Sequence, residues 1–128
     1  MRRNAFLEML WPPDDLATAD KVALSKSIGE LVGRDLADSP SILLKQVRAL
    51  SRHDTYHRLT ELAKIPTLVL SAKHDLIALP RYGQALANGI PGAKFECIPR
   101  SSHGVTIQHE AKINELLLGF LKTNRSIT

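Results

Sequence analysis

Up to about residue 64, apolar positions recur at spacings of three and four, the period of helices with one buried face. "NAFLEMLW" reads as a short apolar helix closed by Pro12 and Pro13. Asp20 stands where it can cap a helix carrying Leu24, Ile28, Leu31 and Val32 on one face. Gly29 and Gly33 lie inside that pattern at a cost of about 1 kcal/mol each against Ala, which predicts close packing there. "DSPSILLKQVRAL" opens a helix with Ser39 as N-cap and Pro40 in the first position, and sets Leu43, Val47 and Leu50 on one face. A shorter helix over "YHRLTEL" leads into Ile65 and Pro66.

From Pro66 the period changes. "TLVLSA" is β-rich and bounded, and its unbroken apolar run suits a strand buried on both faces. "PRYGQALANGI" predicts a helix opened by Pro80 and closed near Gly89, and "AKFECI" predicts a second strand. "EAKINELLLGFLK" is an amphipathic helix with Ile113, Leu116, Leu117, Phe120 and Leu121 toward the core. Strand, helix, strand, helix is the order of a parallel β-α-β-α unit with a right-handed crossover, so the fold class is α/β.

Composition narrows the setting. The 128 residues suffice for one ordinary domain, with 44% apolar and 23% charged residues, the balance of a globular chain. No apolar run approaches the roughly 18 residues that span a bilayer, and "MRRNAFLEMLWPP" makes a poor signal peptide. The lone Cys97 cannot form an internal disulfide. A cytoplasmic protein with no membrane partner is expected. The net charge of +4 comes from scattered basic residues, with Arg2 and Arg3 the only adjacent pair. That pattern predicts a solvated basic surface and no nucleic-acid partner.

Two loops carry candidate chemistry. Asp75 follows the first strand in "LVLSAKHDLIALP", and His103 follows the second in "FECIPRSSHGVTI". Open α/β sheets bind ligands at the carboxyl ends of their strands, so the two can meet although they lie far apart in the chain. Asp75 can equally be a turn aspartate capping the segment before Pro80.

The motifs "IPTLVLSAKHD", "LP", "GQALANGIPGAKFECIP", "SSHG" and "INELLLGFL", in this order and spacing, resemble the C-terminal part of the α/β-hydrolase fold family. The resemblance covers about residues 59 to 122. It implies that residues 65–128 are the last β-α-β-α part of that core and that residues 1–64 resemble the helical lid, or cap, inserted before it. It implies Asp75 as the triad acid and His103 as the general base, a carboxylate orienting an imidazole that shuttles a proton. Ser71 stands where the family usually has Gly, and "PRSSHG" replaces a Gly-rich approach to the His. The sequence contains no G-x-S-x-G nucleophile elbow, which in this family precedes acid and His. The implied protein is therefore a C-terminal half of a serine-type hydrolase of esters, lactones or similar carbonyl compounds, supplying acid and base without a nucleophile. The strand at Leu68 to Leu70 would lack its sixth-strand neighbour, and an open edge of that kind predicts a homo-oligomer, a symmetric dimer with a continuous sheet. The other reading is a non-catalytic, truncated module that oligomerises through this edge.

The remaining candidates carry less. His53 and His57 would face one way on a helix, but no Asp, Glu or Cys stands at ligand spacing, and neither metal nor cofactor is expected. His74 and His109 read as surface or half-buried residues, and Cys97 as a small hydrophobe beside Phe95. Ser101 and Ser102 adjoin His103 but sit on no strained elbow, so neither reads as a nucleophile. Phe6, Met9, Leu10 and Trp11 can line an apolar carbonyl-substrate pocket under the lid or serve as plain packing.

Overall fold

A computed structural model describes residues 3–32 and 40–124. Its centre is a parallel pair of strands, β1 (Leu68–Ala72) and β2 (Lys94–Ile98), in the register Leu68 opposite Lys94 through Ala72 opposite Ile98. Parallel strands need a crossover, and α5 (Pro80–Gly89) supplies it. Pro80 is pre-set for the first helical turn. After α5, Ile90 to Ala93 form a tight turn in which the Ala93 N–H donates to the Ile90 carbonyl at 3.1 Å. Pro91 suits its second position, and Gly92 takes the positive φ of 80° required at its third.

The crossover helix sits close on the sheet. A Cβ at Gly83 would collide with the Ser71 hydroxyl and come within 3.3 Å of the Phe95 ring. The close approach depends on Gly83 having no side chain. The expected helix over "YHRLTEL" is a 3₁₀ segment, Tyr56–Leu62, whose Leu59 is buried under the end of α5. At Gly89 an added Cβ would lie 2.6 Å from Leu59 Cδ1.

The chain beyond β2 forms a short helix α6 (Val105–Gln108), which the sequence pattern did not foretell, and then α7 (Glu110–Thr123). Ile113 is buried and Leu116 and Phe120 are half-buried, but Leu117 and Leu121, expected in the core, are exposed. Two strands about 4.8 Å apart cannot cover the whole apolar stripe of a helix about 10 Å across. Leu116, Gly119 and Phe120 instead line a groove of about 240 Å³ with Leu68, Lys94 and Glu96 of the sheet. For the same reason β1 is not enclosed on both faces: Val69 and Ser71 are buried, whereas Leu68 and Leu70 are only half-buried.

The N-terminal helices are α1 (Arg3–Leu10), α2 (Pro13–Thr18), α3 (Lys21–Val32) and α4 (Pro40–Ser51). Asp20 caps α3 as expected, its Oδ1 accepting the N–H groups of Val22 at 2.9 Å and Ala23 at 3.0 Å, an arrangement typically worth about 1 kcal/mol. Leu7, Leu10, Leu16 and Ile28 form the buried cluster of α1 to α3. Leu31 is exposed, and a Cβ at Gly29 would meet nothing, so the expected close packing is absent there. Val47 and Leu50 of α4 are exposed too, since no other described element packs along that helix. Periodicity identifies an apolar face but not what covers it. Ser39, Gly33 and the side chains of Phe6, Val32 and Leu43 lie outside what is described.

Gly83→Ala is expected to destabilise the chain by about 1–3 kcal/mol through overpacking. Thermal melts should show at least half of that loss recovered in a Ser71→Ala background, where the colliding hydroxyl is gone. An unchanged cost in that background would contradict the close contact.

Candidate active site

The hydrogen-bond ladder continues past the strands. The Lys73 N–H donates to the Ile98 carbonyl at 3.0 Å, and the His74 N–H to the Ser101 carbonyl at 2.8 Å. These bonds lace the loop after β1 to the loop after β2, so the residues that follow in each loop are neighbours.

Asp75 and His103 are those residues. His103 Nδ1 lies 2.9 Å from Asp75 Oδ2. The other carboxylate oxygen, Oδ1, accepts the backbone N–H groups of Ile77 at 2.8 Å and Ala78 at 2.9 Å. One carboxylate oxygen thus closes the turn, while the other faces the imidazole. Burial pushes the Asp75 carboxyl up, but the Ala78 N–H, the His103 ring and the Ile77 N–H outweigh it and hold the group below the usual aspartate range. Ionised at neutral pH, the carboxylate only accepts hydrogen bonds. The proton of the shared bond then belongs to His103 Nδ1, so in the neutral imidazole the lone pair lies on Nε2. The Asp75 side chain is 8% exposed and that of His103 41%, so the acid is enclosed while the imidazole reaches the surface.

Three consecutive amides hold the His103 loop. Ser102 N–H donates to Gln108 Oε1 at 3.1 Å, His103 N–H to the Met9 carbonyl at 3.2 Å and Gly104 N–H to the Leu10 carbonyl at 3.1 Å. Gln108 Nε2 also donates to the Leu10 carbonyl, at 2.7 Å. A Cβ at Gly104 would stand 2.7 Å from that carbonyl, so α1 can approach only a glycine. Arg100 has a positive φ of 49°, and His109 Nε2 donates to its carbonyl at 3.0 Å. Nothing in the sequence pattern marks Gln108 or the α1 carbonyls, because the Gln108–Leu10 bond joins positions 98 residues apart. The Asx turn at Asp75 was legible.

The two serines are turned away from the imidazole's task. Ser101 is 0% exposed with Oγ donating to the Ile98 carbonyl at 2.8 Å, and Ser102 is 2% exposed with Oγ 3.4 Å from the His74 carbonyl. His53 and His57 do not share a helix, since α4 ends at Ser51 and His57 lies in the 3₁₀ segment. No group of three or more possible metal ligands occurs among the described residues. Cys97 is a half-buried free thiol in β2. Leu10 is buried, while Met9 and Trp11 are half-buried. No helix among the described residues is long and apolar enough to cross a membrane.

No family model matches the chain. A stretch of 68 residues, 53% of the chain, is 35% identical to a 2-hydroxy-6-oxononadienedioate/2-hydroxy-6-oxononatrienedioate hydrolase of Paraburkholderia phymatum and covers 23% of that protein. The crystal structure of the enol-lactonase from Burkholderia xenovorans LB400 matches 94% of this chain with a TM-score of 0.74 at 22% identity. An alpha/beta hydrolase enzyme from the sediment metagenome of the Mar Chica lagoon, Morocco, matches 71% of it with a TM-score of 0.59 at 23% identity. The chain has part of the α/β-hydrolase fold. It spans 44% of the length of each of these two structures and under a quarter of the curated hydrolase. The two strands and the crossover helix of this α/β-hydrolase fold are thus what bring the loops of Asp75 and His103 together.

Asp75→Ala removes both functions of the carboxylate and is expected to cost about 1–3 kcal/mol, because the Ile77 and Ala78 donors lose their partner. Asp75→Asn keeps an oxygen for the turn and should cost about 1 kcal/mol less. The folded-state pKa of Asp75 is depressed, so its stabilisation is present above the ordinary value of 3.8 and lost as pH falls through the folded value. Urea midpoints of the wild type and Asp75→Asn should therefore differ at neutral pH and converge in acid. A gap that persists unchanged into acid would contradict this.

Proposed function

We propose that the chain is the C-terminal portion of a serine-type α/β hydrolase, with residues 1–64 as its lid and Asp75 and His103 as acid and base. The observation that carries this reading is the 2.9 Å contact between His103 Nδ1 and Asp75 Oδ2. In the proposed reaction Nε2 takes the proton of a serine hydroxyl as it attacks the substrate carbonyl, and Asp75 stabilises the imidazolium that forms. The same proton then passes to the leaving group. Ser101 and Ser102, buried and bonded to carbonyls, do not present such a hydroxyl. The nucleophile is thus assigned to polypeptide outside these residues. The substrate is proposed as a small apolar ester, lactone or similar carbonyl compound; the relative named as an enol-lactonase supports the lactone class, whereas the curated relative is named for a hydroxy-oxo dicarboxylate. The proposed setting is cytoplasmic.

One feature favours a second, non-catalytic reading. The Thr67 carbonyl and the Lys73 N–H both pair with β2. Successive residues of a strand point their backbone groups to opposite sides, so Leu68 and Leu70 aim theirs at an edge of β1 without a described neighbour. An oligomer joined through that edge would satisfy them.

The test is fluorophosphonate labelling, read by intact mass. The chain alone should take no adduct. Joined in frame to the coding sequence that precedes residue 1 in the source DNA, it should label at a G-x-S-x-G serine, and His103→Ala should slow labelling by about 10³-fold or more. A stoichiometric adduct on the chain alone, lost in His103→Ala, would move the nucleophile to Ser101 or Ser102. A preceding sequence without that motif, together with a dimer by sedimentation, would favour the second reading, whereas a monomer with an open edge would contradict it.

A further inference from the structure

The helix α1 ends at the His103 loop. The last carbonyls of a helix have no partner within it, and those of Met9 and Leu10 are taken by the amides of His103 and Gly104. Among the described residues, Gln108 is the one side chain that bonds to both structures. Its Oε1 accepts from Ser102 N–H at 3.1 Å, and its Nε2 donates to the Leu10 carbonyl at 2.7 Å. Gln108 is itself held by α6, where its N–H donates to the Gly104 carbonyl at 3.0 Å.

We propose that Gln108 is a positioning residue that fastens the end of α1 to the His103 loop, so that docking of the N-terminal helices sets the imidazole against Asp75. This rests on the reading of Asp75 and His103 as acid and base. The physical reason is tolerance. A hydrogen bond weakens steeply once its distance and angle leave a narrow range, and catalytic groups must be held within about 0.5 Å. Asp75 is fixed from its own side by the Ile77 and Ala78 amides. On the other side His103 is fixed only as well as residues 102–104, and among the described residues Gln108 closes the one link between those residues and α1 that runs through a side chain. Without it the buried Ser102 amide loses its acceptor, and the Leu10 carbonyl keeps only the Gly104 amide.

The test reads the tautomer of His103 in the full chain by long-range ¹H–¹⁵N spectra at mildly alkaline pH. Wild type should show the Nδ1–H form that Asp75 selects. Gln108→Ala should lower the ratio of the Nδ1–H to the Nε2–H form by about tenfold, the equilibrium equivalent of one hydrogen bond. Gln108→Glu keeps an acceptor for Ser102 but loses the donor to Leu10, and should fall between the two. A stability loss alone would not move this ratio. A folded Gln108→Ala with the wild-type ratio would overturn the role of Gln108 and leave the pair intact. A wild type dominated by the Nε2–H form would instead overturn the acid–base reading. Should Gln108→Ala fail to fold, amide exchange in the wild type decides. Ser102, His103 and Gly104 are expected to share the protection of Leu10 and Trp11, and a loop that exchanges independently of α1 would overturn the proposal.

Discussion

Everything at the site depends on two strands lying parallel in one register. Because Leu68 stands opposite Lys94, the strands end together, and the bonds from Lys73 to Ile98 and from His74 to Ser101 carry the alignment into the loops. Parallel pairing cannot arise from a hairpin, so α5 and its close seat at Gly83 are part of the same constraint. A slip of one residue would turn every side chain of a strand to the other face and part the two loops.

Asp75 shows how one carboxylate joins local and distant structure. Oδ1 is spent on its own turn, which fixes the group, and Oδ2 is thereby aimed across to His103. The same contacts keep the group ionised despite burial, and an ionised acceptor determines which ring nitrogen of His103 carries the proton. Rigidity, charge state and tautomer follow from the same few contacts, and together they give an enclosed acid and an accessible imidazole nitrogen. The serines beside it are committed to loop carbonyls, so on the proposed reading the proton transferred at His103 belongs to a group that comes from elsewhere.

What was legible in the sequence is what local rules govern. Pro80 and Gly89 bracket α5, Asp20 caps α3, and the strands fall where the period changes. Asp75 and His103 could be placed because each follows a strand end. A local pattern does not identify a partner distant in the chain. The helical period puts Val47 and Leu50 on one face and Leu117 and Leu121 toward the core, yet all four are exposed. Gly29 within the helical pattern predicts a close contact, and a Cβ there would meet nothing within 4 Å. Gln108 carries no pattern at all, since its partners are Ser102 in the adjoining loop and the carbonyl of Leu10 at the far end of the chain.

The claim at the centre is that Asp75 and His103 interact with each other and do not merely lie close. A double-mutant cycle in urea unfolding at neutral pH measures this directly, using Asp75→Asn, His103→Gln and the double variant. With the imidazole partly exposed, the expected coupling is at the lower end for contacting residues, about 0.5–1.5 kcal/mol. Single-variant effects that simply add would mean the two side chains are neighbours without an interaction, and the acid–base pair would lose its foundation.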